Sequence, residues 1–192
     1  MTRWTVIWLG WSSLLSGCAM IPTLLPPATD LLGSESHVVV VGKFELDPPL
    51  NAALEQRTHR NVIGDKRILN RIIMATRNAP GPVDTNALGG PDWQGTIEAE
   101  WGVPFRVKAP RQRTYLNGGF VQLDVVAQEK LWFPGGVYFD VPPGARAIYI
   151  GTLRYTRNEF NRITNVEVID ERKDFAPEAR ALLQPALLQK HR

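Results

Sequence analysis

The chain has one cysteine and three histidines among its 192 residues. One cysteine can form neither an intramolecular disulfide nor a cysteine-rich zinc site. The histidines, His37, His59 and His191, do not follow a metal-ligand spacing such as His-x-x-x-His. The sequence therefore predicts no metal site and no cofactor, and we expect none of the histidines to be catalytic.

Motifs for nucleophilic catalysis and phosphate binding are also missing, since the sequence has neither Gly-x-Ser-x-Gly nor Gly-x-Gly-x-x-Gly. The remaining candidates for chemistry are carboxylates. Glu98 and Glu100 share one face of a predicted strand, and Asp124 and Asp140 lie on the polar faces of two others. Paired acids can act as general acid and base, but solvated acids alternating with core residues explain the same spacing. We therefore expect that the protein is not an enzyme, and the alternative is a hydrolase that uses an acidic pair.

The amino terminus has little charge and no long apolar run. Arg3 is the one charged side chain among residues 1–17, and the apolar stretch from Trp4 to Trp11 is much shorter than the roughly 20 residues of a membrane-spanning helix. A positive end, a short apolar stretch and small residues before Cys18 are typical of a secretory signal. We expect residues 1–17 to be a signal peptide.

Leu15-Ser16-Gly17-Cys18 resembles the lipobox of bacterial lipoproteins at all four positions. The resemblance implies that the Cys18 thiol receives a diacylglyceryl group, that the signal is cut before Cys18, and that the freed amine is acylated. Ala19 in place of Asp implies sorting to the outer membrane, with the domain facing the periplasm. Several acyl chains give the stable anchoring that one chain does not. The alternative is a buried cysteine behind an ordinary signal or a membrane anchor.

The remaining chain divides into three parts. Residues 18–36 are the lipidated cysteine and a tether with three prolines, residues 37–174 a β-sandwich, and residues 175–192 a terminal helix. After loss of Arg3, 21 basic and 19 acidic side chains remain. Because a nucleic-acid binder needs a concentrated basic face, this balance predicts no nucleic-acid partner.

The fold class expected is mainly β, an antiparallel sandwich of about seven or eight strands with a C-terminal amphipathic helix. Runs rich in β-branched residues predict strands at 38–46, 137–141, 147–155 and 162–170. Residues 67–76 fit either a helix or a strand, and we favour the strand. Residues 97–107 alternate apolar and polar side chains, and Gly102 and Pro104 predict an edge strand, a bulge or a bend.

Two further predictions concern local signals. Asn117-Gly118 between apolar runs predicts a hairpin turn. From Phe175 to Leu187 apolar residues recur at helical spacing, and Pro185 predicts a kink or the end of that helix. The helix would pack on the sandwich edge or dock a partner.

Arginine and lysine form two local clusters, which suit phosphate or carboxylate ligands or else protect strand edges. The first comprises Arg106, Lys108, Arg111 and Arg113, and the second Arg154, Arg157 and Arg162. We interpret Trp93, Trp101 and Trp132 as core or loop anchors.

Tyr138 to Tyr155 is similar to a pattern in small bacterial lipoproteins with immunoglobulin-like or transthyretin-like sandwiches, which supports the fold and implies no activity. The expected function is a lipid-anchored envelope protein with a non-catalytic periplasmic binding or structural domain. The alternatives are an accessory subunit of an envelope secretion or transport complex, with an envelope protein as partner, and a periplasmic hydrolase.

Overall fold

The computed structural model describes residues 33–51, 71–83, 94–124 and 129–191, with Asp124 described by its backbone. These ranges contain ten strands, one short α-helix, α1 (Pro177–Leu182), and a 3-10 turn at Arg172–Asp174. The strands are β1 His37–Asp47, β2 Arg71–Arg77, β3 Gly95–Glu100, β4 Pro104–Pro110, β5 Thr114–Asp124, β6 Glu129–Phe139, β7 Ala147–Arg157, β8 Ile163–Ile169, β9 Leu183–Pro185 and β10 Gln189–Lys190.

Two five-stranded sheets form the fold. Sheet A has the order β4-β1-β7-β8, with β9 also paired to β7, and sheet B has the order β10-β6-β5-β2-β3. The predicted mainly-β sandwich is confirmed. Two pairings, β1 with β7 and β7 with β9, are parallel, which an all-antiparallel sandwich does not include. β1 and β7 can pair in parallel because a long connection, which passes through sheet B, joins them. A tight hairpin would have required antiparallel pairing.

The core lies between the inner faces of the sheets. The alternation of apolar and polar residues in β3 and β4 arises because one face of each strand turns toward this core. Its largest fully buried side chains include Phe44, Ile72, Leu116, Phe139 and Tyr155. A second apolar cluster lies on the outer face of sheet A, where α1 and its flanking residues cover Val39, Val41 and Tyr149.

The chain changes sheets along both sides of the sandwich. On one side β3 ends in sheet B, residues 101–103 cross, and β4 begins in sheet A. This confirms the bend predicted at Gly102 and Pro104. Trp101 in the crossing packs against Phe133 and Tyr155, with ring centroids 5.0 and 6.4 Å away. The interpretation of Trp101 as a core anchor is therefore confirmed.

The hairpin predicted at Asn117-Gly118 is wrong. β5 runs straight through these residues, and its register with β6 shifts between Leu116 and Gly118, which makes a β-bulge. Gly118 has φ +140°, a conformation that glycine adopts without steric cost. Because β5 pairs with β2 on one side and β6 on the other, these ladders outweigh the local turn preference.

The helix predicted over residues 175–192 is wrong beyond Leu182. α1 ends there, Leu183–Pro185 form β9 against β7, and Gln189–Lys190 form β10 against β6. Between them Ala186 and Leu188 donate backbone hydrogen bonds to Tyr149 and Ile150, each 2.9 Å. An extended segment satisfies more backbone groups here than a helix interrupted at Pro185 would. The segment therefore packs on the sandwich edge and crosses from sheet A to sheet B.

The two ends of the sandwich differ in what they hold. Residues 33–37, 77–83, 108–113, 140–146 and 189–191 lie at the end where β1 begins, which we name the proximal pole. Residues 47–51, 71, 129–130 and 157–163 lie at the opposite end, the distal pole. The described chain therefore enters the domain at the proximal pole.

Candidate functional site

A cleft of about 330 Å³ opens at the proximal pole between the two sheets. The crossing at residues 101–103 holds the sheets together at the far end of the β3–β4 side. At the other end of that side, Gly95 begins β3 and Pro110 ends β4, and they form opposite lips of the cleft. A volume of this size falls within the range of small-molecule sites, about 300–1,000 Å³.

Apolar and neutral polar side chains line the cleft. Ile97, Val107 and Phe139 form apolar wall, while Thr76 and Gln112 supply polar groups. The charged residues among the described lining are Arg77 and Lys108, and no acidic residue of the described ranges lines it. Lys108 on β4 lies opposite Val39 on β1, and the side chain of Val39 belongs to the apolar cluster on the outer face of sheet A. Because residues paired across two strands point to the same face of the sheet, the Lys108 side chain also lies on the outer face, at the rim of the cleft. The described lining thus offers hydroxyl and amide groups beside an apolar wall.

A second polar site lies on the outer face of sheet A. The Lys43 ammonium is 2.6 Å from carboxylate oxygens of both Glu45 and Glu171. The Thr152 hydroxyl donates to Glu171 at 2.6 Å, and the Glu171 backbone N–H donates to the Tyr149 hydroxyl at 3.3 Å. A cavity of about 130 Å³ adjoins these groups, enough for about four waters. The contacts join the segment before α1 to the sheet.

The charges of this second site stabilise one another. Partial burial alone would lower the pKa of Lys43, but hydrogen bonds to Glu171 and Glu45 outweigh it and raise that pKa above its ordinary value. Partial burial would raise the pKa of Glu45, but hydrogen bonds from Lys43 and Arg154 hold it below the ordinary range. These shifts favour the charged forms of Lys43 and Glu45 near neutral pH, as in a structural ion-pair network.

The three candidate acids with described side chains, Glu98, Glu100 and Asp140, do not gather in one place. Glu98 is exposed on β3, and Glu100 on the same strand faces Arg71 at 3.7 Å. Asp140, just after β6, forms a two-pronged ion pair with Arg113, at 2.8 and 3.0 Å. β3 and β6 are three strand spacings apart, about 14 Å. The side chain of Asp124 lies outside the description.

The structure also places the other residues that the sequence singles out. His37 hydrogen-bonds Ser36, and His191 packs edge-on against Tyr115. The described residues contain no group of three or more His, Cys, Asp or Glu side chains able to hold a metal ion. Trp132 packs against Phe120 on the outer face of sheet B. Cys18, His59 and Trp93 lie outside the described residues.

The two arginine clusters are largely engaged within the domain. Arg157 is buried and donates to the carbonyls of Pro48 and Pro49, and Arg154 pairs with Glu45 at 2.7 Å. Arg113 also lies 4.5 Å from the centre of the Tyr138 ring.

The sequence did not predict the cleft or the contact of Glu171 with Lys43. One signal was present: Lys43 and Glu45 interrupt an otherwise apolar strand.

No family model matches the chain, and neither a curated protein nor a solved structure shows a significant similarity to it. Within the described ranges, no helix has the length and apolar character needed to cross a membrane. Any functional conclusion must therefore come from the chain's own residues.

Proposed function

We propose that this chain is a lipoprotein of the bacterial outer membrane, held by lipid on Cys18, whose sandwich is a non-catalytic binding domain in the periplasm. The observation that carries the proposal is the sequence Leu15-Ser16-Gly17-Cys18 at the end of a short apolar run. A thiol at the first mature position can carry the acyl chains that anchor the domain.

The arrangement of the domain supports a binding role. The cleft at the proximal pole is a mixed apolar and polar recess of about 330 Å³ between the two sheets, a size that suits a small ligand. Its lining holds no carboxylate and no histidine in the described ranges, and Glu98, Glu100 and Asp140 do not meet there. The groups available, hydroxyls and amides beside apolar wall, can orient a ligand by hydrogen bonds.

Cell fractionation tests the anchor. The wild-type chain, expressed in a Gram-negative host, should fractionate with outer membranes, and Cys18→Ala should leave that fraction. The matched control is Ser16→Ala, which keeps a small residue before the cysteine and should remain membrane-bound. Outer-membrane association of Cys18→Ala equal to that of the wild type would contradict the proposal.

A second candidate function is an accessory subunit of an envelope complex, which the open edge of β8 favours. In the described residues β8 pairs with β7 alone, and five of its seven residues are β-branched with Glu167 as the only charge. The edge strand on the opposite side of sheet A, β4, is instead bounded by Pro104 and Pro110 and carries Arg106 and Lys108, which discourage further pairing. The β8 edge fits an extended segment of an envelope protein, added as another strand.

In-cell photocrosslinking tests this second candidate. A photoreactive residue at exposed Asn165 on β8 should capture a specific envelope protein, whereas one at exposed Thr96 on β3 should not. Equal capture from both positions, or none from Asn165, would remove the candidate.

A further inference from the structure

Basic side chains are concentrated at the proximal pole. Six Lys or Arg residues and two acidic residues lie in its ranges. The basic ones are Arg77, Lys108, Arg111, Arg113, Arg146 and Lys190, and the acidic ones are Glu35 and Asp140. Counting formal charges, the described residues of this pole have an excess of four positive charges at neutral pH.

The distal pole lacks this excess. Its described ranges hold the basic residues Arg71, Lys130, Arg157 and Arg162, and the acidic residues Asp47, Glu129 and Glu159. Of the basic ones, Arg157 is buried and bound to backbone carbonyls. Within the described ranges, the two poles therefore differ in net charge.

The positively charged pole is also where the chain enters the domain. Gly33 and Ser34, the first described residues, are held there because Arg111 donates to the Ser34 carbonyl. If Cys18 carries lipid, as proposed above, the tether draws this end toward the bilayer. Lys108 and Arg146 are exposed at this end, so their charges are available to an approaching surface.

We propose that the proximal pole docks against the anionic phospholipid surface of the leaflet that holds the Cys18 lipid. Basic residues near an anionic bilayer each add attraction, and the attraction falls off within a Debye length, about 8 Å at physiological salt. Only the pole that the tether brings close can use it. Docking in this orientation turns the mouth of the cleft toward the bilayer.

Vesicle cosedimentation tests the proposal separately from lipidation. The protein is the mature chain, residues 18–192, carrying Cys18→Ser, so that no acyl chain contributes to binding. The probes are vesicles of phosphatidylethanolamine with 30% phosphatidylglycerol, and vesicles of phosphatidylcholine alone, at low and physiological salt. We expect binding to the anionic vesicles that weakens with salt, and at least tenfold weaker binding to the neutral ones.

Two double variants with the same change of net charge locate the surface. Lys108→Glu with Arg146→Glu alters the proximal pole, and Arg71→Glu with Arg162→Glu alters the distal pole. The proximal variant should lose at least tenfold in partitioning to anionic vesicles, and the distal variant less than threefold. Their unfolding midpoints, measured in parallel, establish that both are folded.

Three results would overturn the proposal: no binding of the parent chain to anionic vesicles, equal binding to both kinds of vesicle, or equal losses in the two variants. Equal losses would mean that total charge, and not this pole, drives binding. Failure here leaves the mass of the mature amino terminus unaffected, and an unlipidated terminus leaves this assay unaffected. The two proposals can therefore fail independently.

Discussion

The carbonyl oxygen of Ser34 accepts two hydrogen bonds from the guanidinium of Arg111, 3.1 Å from Nε and 2.8 Å from one terminal nitrogen. The other terminal nitrogen donates to the carbonyl of Ala145 at 2.7 Å. One side chain thus joins the chain entry, the end of β4 and the segment before β7. This junction holds Ser34 at the proximal pole.

Replacing Arg111 by alanine should lower the free energy of unfolding by about 1–2 kcal/mol, because two carbonyls lose charge-assisted hydrogen bonds. Arg111→Lys should recover only part of the loss, since an ammonium lacks the planar fork. Urea denaturation measures both. Lys108→Ala, on the adjacent exposed edge, should change stability by less than about 0.5 kcal/mol. Equal effects of Arg111→Ala and Lys108→Ala would refute the role given to Arg111.

Two adjacent leucines at the end of α1 distinguish the observed extended segment from the longer helix that the sequence predicts. Leu183 is 4% exposed in the outer cluster of sheet A, whereas Leu182 is 41% exposed. Leu183→Ala should therefore cost about 2–4 kcal/mol, and Leu182→Ala less than about 0.5 kcal/mol. Thermal and urea unfolding of the two variants check this. Similar costs for both would favour a helix that buries both leucines on its apolar face.

Acid should weaken the ion pairs that Glu45 forms with Lys43 and Arg154 on the outer face of sheet A. The pKa of Glu45 is lower in the folded chain than the roughly 4.3 of an unfolded one, so its contribution is present above that value. It is lost as pH falls through the folded pKa. Glu45→Gln should thus be less stable than the wild type at pH 7, by about 1 kcal/mol or less, and the difference should shrink below pH 4. A difference independent of pH from 3 to 7 would be inconsistent with this account.

Gly135 on β6 lies against the backbone of β5 at the bulge. A Cβ added there would be 2.2 Å from the Asn117 carbonyl carbon and 2.3 Å from the Leu116 carbonyl oxygen, both backbone atoms. Gly135→Ala should cost at least about 2 kcal/mol, since strand backbones must move apart. Gly136→Ala, which meets open space but keeps φ +80°, should cost about 1 kcal/mol. The opposite order in denaturation midpoints would contradict the observed bulge.

Local patterns were sufficient for the regular strands. The run from Val38 to Leu46 and the run from Ala147 to Tyr155 predict β1 and β7 to within one or two residues, because β-branched and aromatic residues bounded by prolines or turns favour buried strands. The ambiguous stretch 67–76 overlaps β2 (Arg71–Arg77), so the strand favoured from the sequence is confirmed for its described residues, while residues 67–70 lie outside the described ranges.

Tertiary contacts overrode the local signals elsewhere. Asn117-Gly118 favours a turn in isolation, but two neighbouring strands pair across it. The leucines near Pro185 match helical spacing, yet pairing with β7 and β6 extends the chain there. The cleft depends on Gly95 and Pro110 lying in different sheets at one pole, which no short window of sequence encodes.

The mass of the mature amino terminus tests the central claim most directly. Intact mass and fragmentation of the protein purified from Gram-negative membranes should show a chain that begins at Cys18, with a diacylglyceryl thioether and an acylated amine. Cys18→Ala should show neither lipid nor cleavage before residue 18. An unmodified wild-type chain that begins before Cys18 would contradict the account.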